Sequence, residues 1–284
     1  MKRLGRRDPD ISRLGKGRTG WLKISERWAK SSLVLYVVLT SSFLVVVSSA
    51  PPAHGACSGA GTKYNATAEG VQGQTAWGNF GLNTPSKATL CGSSWSEGSY
   101  VHLANSMTTR SDGLGWIEVM WYFGYRSDGG SSTMTPAFQW IKHNIWAGGR
   151  SSSDISKGTS IYPNFGDAIN MTLRYDWTDS SGKDFYKIVI YDITSGRVII
   201  ITNLWVDGRG AGTFFQSEGF NLQNVLKGNI NGAQFMDTSK VWHYWKNYNL
   251  YQAQGGQEFC VQALAGTTTA FKFGTYINGV CSLP

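Results

Sequence analysis

Two glutamates stand where a carboxylate can do chemistry. Glu118 lies inside Trp116-Ile117-Glu118-Val119-Met120-Trp121-Tyr122-Phe123, and Glu218 ends Thr213-Phe214-Phe215-Gln216-Ser217-Glu218. On a strand, alternate side chains point to opposite faces. Ile117, Val119, Trp121 and Phe123 then form a core face, and Glu118 is left among Trp116, Met120 and Tyr122 on the open one. A carboxylate partly desolvated by aromatics has a raised pKa, so it can hold or give a proton in mildly acidic water. Only five glutamates follow residue 55 (Glu69, Glu97, Glu118, Glu218 and Glu258), so two on aromatic strand-like segments suggest a carboxylate pair. The bland alternative is a pair of solvated strand glutamates with no site between them. Around the pair, Gln139 and Gln216 are candidates to orient a substrate, and Trp116, Tyr122 and Trp140 to wall a groove.

These residues need a scaffold outside the cytoplasm. The first 55 residues carry ten Lys/Arg against three acids, followed by the apolar run Leu33 to Val47 and the small residues of Ala53-His54-Gly55-Ala56. That order describes a secretory signal peptide, cleaved before Ala56. The alternative is an uncleaved N-terminal anchor, though the run is short for a spanning helix. The whole chain is +8, yet residues 56–284 hold 16 basic and 15 acidic side chains. The basic excess therefore belongs to the export signal, and nucleic-acid binding is not expected. Cys57, Cys91, Cys260 and Cys281 all fall in the exported part, where an even count implies two disulfides in one of three pairings. Cys57–Cys91 and Cys260–Cys281 close the shortest loops and are expected. Only His102, His143 and His243 remain there, with no closely spaced Cys ligands, so neither metal nor other cofactor is expected.

Residues 56–284 suit one domain. Short runs rich in Val, Ile, Thr and aromatics are punctuated by Gly, Ser, Asn and Asp, and helix patterns are nearly absent. The expected strands are 67–77, 100–104, 115–123, 137–143, 168–177, 185–192, 197–203, 212–218, 233–236, 258–263 and 268–273. Asp179-Ser180-Ser181-Gly182 and Thr194-Ser195-Gly196 are turns, so residues 168–203 read as an antiparallel meander. Ser239–Trp245 reads as a short helix or a loop. Eleven strands without helices imply an all-β, two-sheet antiparallel sandwich of jelly-roll or concanavalin A-like type. Most of the ten tryptophans after the leader belong in its core.

From Ser99 to Asp237 the order of segments resembles that of the secreted glutamic peptidases of the scytalidoglutamic-peptidase (eqolisin) type, and more loosely of the neprosin type. The segments that carry the resemblance are Tyr100-Val101-His102-Leu103, Trp116-Ile117-Glu118-Val119, Ala137-Phe138-Gln139-Trp140 and Gly166-Asp167-Ala168-Ile169. Ile190 to Gly196, Phe214 to Glu218 and Asn231 to Phe235 complete it. The resemblance implies a sandwich fold and peptide hydrolysis at acid pH. It implies Glu218 as general base and Glu118 as donor to the oxyanion. Position 118 departs from the eqolisin pattern, which has Gln there; neprosin-like peptidases use two glutamates. The expected partner is an extended peptide or a glycan, and the expected state is a secreted monomer that meets a membrane only through an uncleaved leader. The competing readings are a lectin-like carbohydrate-binding sandwich and an inactive surface-interaction protein. Glucanases of this architecture carry both acids on one strand, whereas Glu118 has no acidic strand neighbour.

Overall fold

Strong alternation dictates the strands. In a computed structural model, which describes residues 63–73, 75–91, 100–124, 136–145, 151–155, 163–220, 223–252, 259–277 and 279–284, sixteen strands account for nearly all regular structure. Residues 1–55, read above as a leader, lie outside the described residues, as does Cys57. The strands are β1 (Lys63–Gly70), β2 (Gly78–Thr89), β3 (Tyr100–Thr108), β4 (Gly115–Gly124), β5 (Ala137–Ile145), β6 (Ser151–Ile155), β7 (Ile169–Thr178) and β8 (Asp184–Asp192). There follow β9 (Arg197–Trp205), β10 (Gly212–Phe220), β11 (Val225–Met236), β12 (Trp242–Tyr244), β13 (Tyr248–Gln252), β14 (Phe259–Ala263), β15 (Phe271–Ile277) and β16 (Val280–Ser282). No helix occurs among the described residues.

The chain is a two-sheet antiparallel β-sandwich. One sheet runs β13-β1-β10-β3-β4-β5-β6 and the other β14-β15-β11-β2-β7-β8-β9, with β12 beside β11 and β16 beside β15. Between them lies a core that includes Trp121, Phe138, Tyr186, Phe215, Trp245, Phe259, Phe271 and Phe273. The meander β7-β8-β9 forms as its turn residues require, with Ile169 paired to Asp192 and Asp192 to Arg197.

Two local readings are corrected. The expected strand over residues 67–77 ends at Gly70, and a strand not expected, β2, occupies the middle of the nine-stranded sheet. Its composition hid it, because Gly81 and Pro85 look like turn residues. Pro85 sits at a register shift against β11, one of the few interior places where a residue without an N–H fits a sheet. A side chain at Gly81 would meet Phe215 and Ile230 at 2.8 Å each, so the ring of Phe215 needs the bare backbone there. Ser239–Trp245 is not a helix; Trp242, His243 and Tyr244 pair with Met236, Phe235 and Gln234.

β2 also fixes the sheet above it. Asn79 donates to the carbonyls of Ser106 at 2.8 Å and Phe214 at 3.0 Å, and Asn83 donates to Asn105 Oδ1 at 2.9 Å. Asn105 in turn donates to the carbonyl of Met171 at 2.8 Å. Buried amides that find partners specify one sheet-on-sheet alignment where apolar contacts alone would tolerate sliding. β3 and β10 are thereby pinned from the core side, and they carry the site on their other face.

Candidate active site

The seven-stranded sheet turns Tyr100, His102, Ala104 and Ser106 of β3 to the face away from the core. Cross-strand register places Glu218 of β10 opposite His102, and Glu118 of β4 opposite Ser106. The two glutamates thus flank β3 from either side, offset by four residues along it. Between them Gln216 and Met120 sit opposite Ala104.

Despite that offset, both carboxylates converge. Glu118 Oε1 lies 3.6 Å from His102 Nε2, and Glu218 Oε1 lies 3.9 Å from the same nitrogen. The other oxygen of Glu118, Oε2, accepts from the Ser106 hydroxyl and the Gln216 amide, each at 2.7 Å. The Tyr100 hydroxyl donates to Glu218 Oε1 at 2.8 Å. Tyr100 also stacks on His102, with centroids 5.8 Å apart, and on Tyr122, at 5.4 Å. Burial pushes the Tyr100 hydroxyl well above its ordinary pKa, and the adjacent Glu218 charge and hydrogen bond push it the same way. It therefore stays a proton donor through the acid and neutral range.

The face is not the open aromatic groove that alternation suggested. Glu118 is 3 % exposed, Glu218 4 % and His102 3 %. Beside them on this side of the sheet lies a second apolar cluster, made of Ala104, Met120 and Tyr122 with Tyr100 and Ile141 packed against it. A carboxylate pair this dry interacts far more strongly than a solvated one.

The remaining candidates divide. Tyr122 belongs to the site through its stack on Tyr100. Gln216 holds Glu118, which gives it a partner inside the site in place of the substrate-orienting role expected of it. Gln139 is buried on the same face, opposite Met120. Trp116 is half-buried two residues before Glu118, opposite Thr108. Trp140 does not line a groove: it pairs with Val119, whose side chain points inward, and packs against the main core. Strand parity decides this, because Gln139 and Trp140 cannot share a face.

Tyr100, His102 and Ser106 are site residues that the sequence reading passed over. A metal-ligand reading of His102 makes no use of its place on β3, and the strand expected over residues 100–104 ends two residues short of Ser106. Their shared parity on β3 was the available signal. Although His and Glu are metal-ligand types, among the described residues no group of His, Cys, Asp and Glu is arranged to hold a metal ion. Cys260 and Cys281 form a disulfide between β14 and β16, and Cys91 is also disulfide-bonded.

No protein-family model matches the chain, and no curated protein matches it. Among solved structures, it is similar to scytalido-glutamic peptidase with a peptide-based transition state analog, at 10 % identity over 76 % of this chain and 98 % of that one, TM-score 0.46. A second scytalido-glutamic peptidase structure, with a transition state analog inhibitor, matches at 10 % identity over 76 % and 99 %, TM-score 0.47. SCP-B, a member of the eqolisin family of peptidases in a complex with the tripeptide Ala-Ile-His, matches at 10 % identity over 76 % and 98 %, TM-score 0.45. Likeness at this identity is likeness of fold and says nothing of the site's chemistry.

Proposed function

We propose that the chain is a hydrolase in which Glu118 and Glu218 work as a carboxylate pair on peptide bonds in acidic surroundings. One observation carries the reading: two glutamates one hundred positions apart in sequence direct their Oε1 atoms at the same imidazole nitrogen, in a dry site. Two carboxylates gathered on one ring in a dry site do not both ionise cheaply, so the pair loses its protons in two coupled steps. Such a unit offers an acid and a base side by side.

In the proposed reaction Glu218, ionised, takes a proton from a water that attacks the scissile carbonyl carbon. Glu118, protonated, donates a hydrogen bond to the oxyanion that forms. As the tetrahedral intermediate collapses, the C–N bond breaks and Glu218 passes its proton to the leaving amine. Water is consumed and both glutamates return to their starting state. Because Glu118 Oε2 already accepts from Ser106 and Gln216, the proton it gives is best carried on Oε1, the oxygen that faces His102. The disulfides support an oxidising, extracellular location. A glucanase-like site is disfavoured, since the acids stand on β4 and β10 with β3 between them.

Quenched fluorescent peptides assayed from pH 3 to pH 7 test this reading. Glu218→Gln removes the base and should lower turnover by at least about a thousandfold, near-UV circular dichroism remaining native. Glu118→Gln keeps an oxyanion donor that no longer ionises, so it should stay active and extend activity to higher pH. Near-normal turnover by Glu218→Gln would sink the assignment.

A further inference from the structure

The nine-stranded sheet bears a second concave site on its own outer face, away from both glutamates. β7 alternates cleanly: Ile169, Met171 and Leu173 enter the core, while Asn170, Thr172 and Arg174 face out, half-buried. Arg174 lies in a depression of about 360 Å³ whose apolar walls are Phe80 of β2, Val189 of β8 and Trp242 of β12. The rings of Phe80 and Trp242 meet edge to face at 68°, with centroids 6.2 Å apart. Thr172 and Gln234 add a hydroxyl and an amide.

One donor of that guanidinium is unsatisfied there. Arg174 Nε is buried and has no hydrogen-bond partner, a costly state for a charged donor. Its register neighbour on β8 is Lys187, a second cation, and neither is ion-paired with a described carboxylate. A planar fork of donors in a positive setting selects a carboxylate. A bare inorganic anion would leave the Phe80–Trp242 corner unused, whereas the flat C–H face of a pyranose ring fills an aromatic wall and presents hydroxyls to Thr172 and Gln234. A peptide is disfavoured by position. The depression is centred on β2 and β7, interior strands whose main-chain groups are already paired, so a docked peptide backbone would find no ladder to join.

We propose that this depression binds a hexuronate residue of an acidic polysaccharide, with its carboxylate on Arg174 and its ring against Trp242. The site is separate from the glutamate pair and does not depend on it. The chain would then hold an acidic polysaccharide on one sheet while the other sheet carries the hydrolytic pair.

Titration of the full chain with tetragalacturonate and with its methyl ester, followed by calorimetry and tryptophan fluorescence, tests the assignment. Tetragalacturonate should bind saturably, and the ester at least about tenfold more weakly, the loss expected for one charge-assisted hydrogen-bonded pair. Arg174→Gln should abolish that discrimination, Arg174→Lys should retain part of it, and Trp242→Ala should weaken both ligands. Glu218→Gln should bind like the parent. Near-ultraviolet circular dichroism identifies any variant that has lost its fold, and Arg174→Lys, the smallest change, then decides. No binding, equal binding of acid and ester, undiminished binding by natively folded Arg174→Gln, or equally tight binding of tetraglutamate overturns the proposal.

Discussion

Tyr100 donates its hydroxyl to Glu218 Oε1 at 2.8 Å while its ring stacks on both His102 and Tyr122. The stack fixes the ring, so the hydroxyl is aimed before any substrate arrives. A hydrogen bond to an ionised group is worth about 1.5–3 kcal/mol, and one pKa unit corresponds to about 1.4 kcal/mol. Tyr100→Phe keeps the stack and deletes the donor, which makes ionising Glu218 harder. The acid limb of the pH–rate profile should therefore move up by about one unit. A profile identical to the parent's would show that Glu218 is not the ionised partner.

The disulfide between Cys260 and Cys281 joins residues 21 apart at one end of the nine-stranded sheet. Closing a loop of that length restricts the unfolded chain by about 3 kcal/mol in the chain-entropy account. Cys260→Ser with Cys281→Ser should lower unfolding free energy in urea by about that amount. Peptide turnover at 25 °C should be retained, because the glutamates stand on the other sheet.

Glu69 gives the stability curve a readable sign. It lies on β1 opposite Phe214, and burial raises its carboxyl pKa, an effect the hydrogen bond from Tyr251 partly offsets. A folded pKa above the unfolded one means that the native state binds this proton more tightly. Ionising Glu69 therefore costs stability; the cost is complete above the folded pKa and absent below the unfolded one. Glu69→Gln should unfold at a higher temperature than the parent at pH 7, and the difference should shrink to nothing as pH falls below the ordinary carboxylate range. Tyr251→Phe should act oppositely at pH 7, since it removes the donor that steadies the ionised form.

Periodicity made the sandwich legible, because strands such as β7 alternate inward and outward residues along most of their length. It also put Glu118 and Glu218 on one face of their strands. What it could not state was pairing. That β3 lies between β4 and β10, and that a four-residue offset would still bring two carboxylates to one imidazole, depends on contacts between segments far apart in sequence. Polar residues caused the other misses. Asn79, Asn83 and Asn105 look like loop residues yet bond across the core, and together with Gly81 and Pro85 they hide β2 and shorten the expected β3. Trp140 is a groove candidate by residue type alone; it faces the other way from Gln139 and packs against the core.

Ala104 is the residue on which the geometry of the pair turns. It is fully buried on β3 between His102 and Ser106, with Gln216 on one side and Met120 on the other. Gln216 belongs to β10 and Glu118 to β4, so the 2.7 Å bond between them must cross β3 at this position. A single methyl group leaves room for that crossing. Ala104→Leu would fill the space, at a cost of about 1–3 kcal/mol for overpacking. It would also part Gln216 from Glu118, removing one donor from Oε2. Peptide turnover should fall by at least about tenfold, a loss equivalent to one ordinary hydrogen bond in the transition state. Ala104→Gly leaves the crossing open and should keep turnover near the parent's even though it too destabilises the strand. Equal losses in the two variants would mean that strand stability, and not the Gln216–Glu118 bond, controls the site.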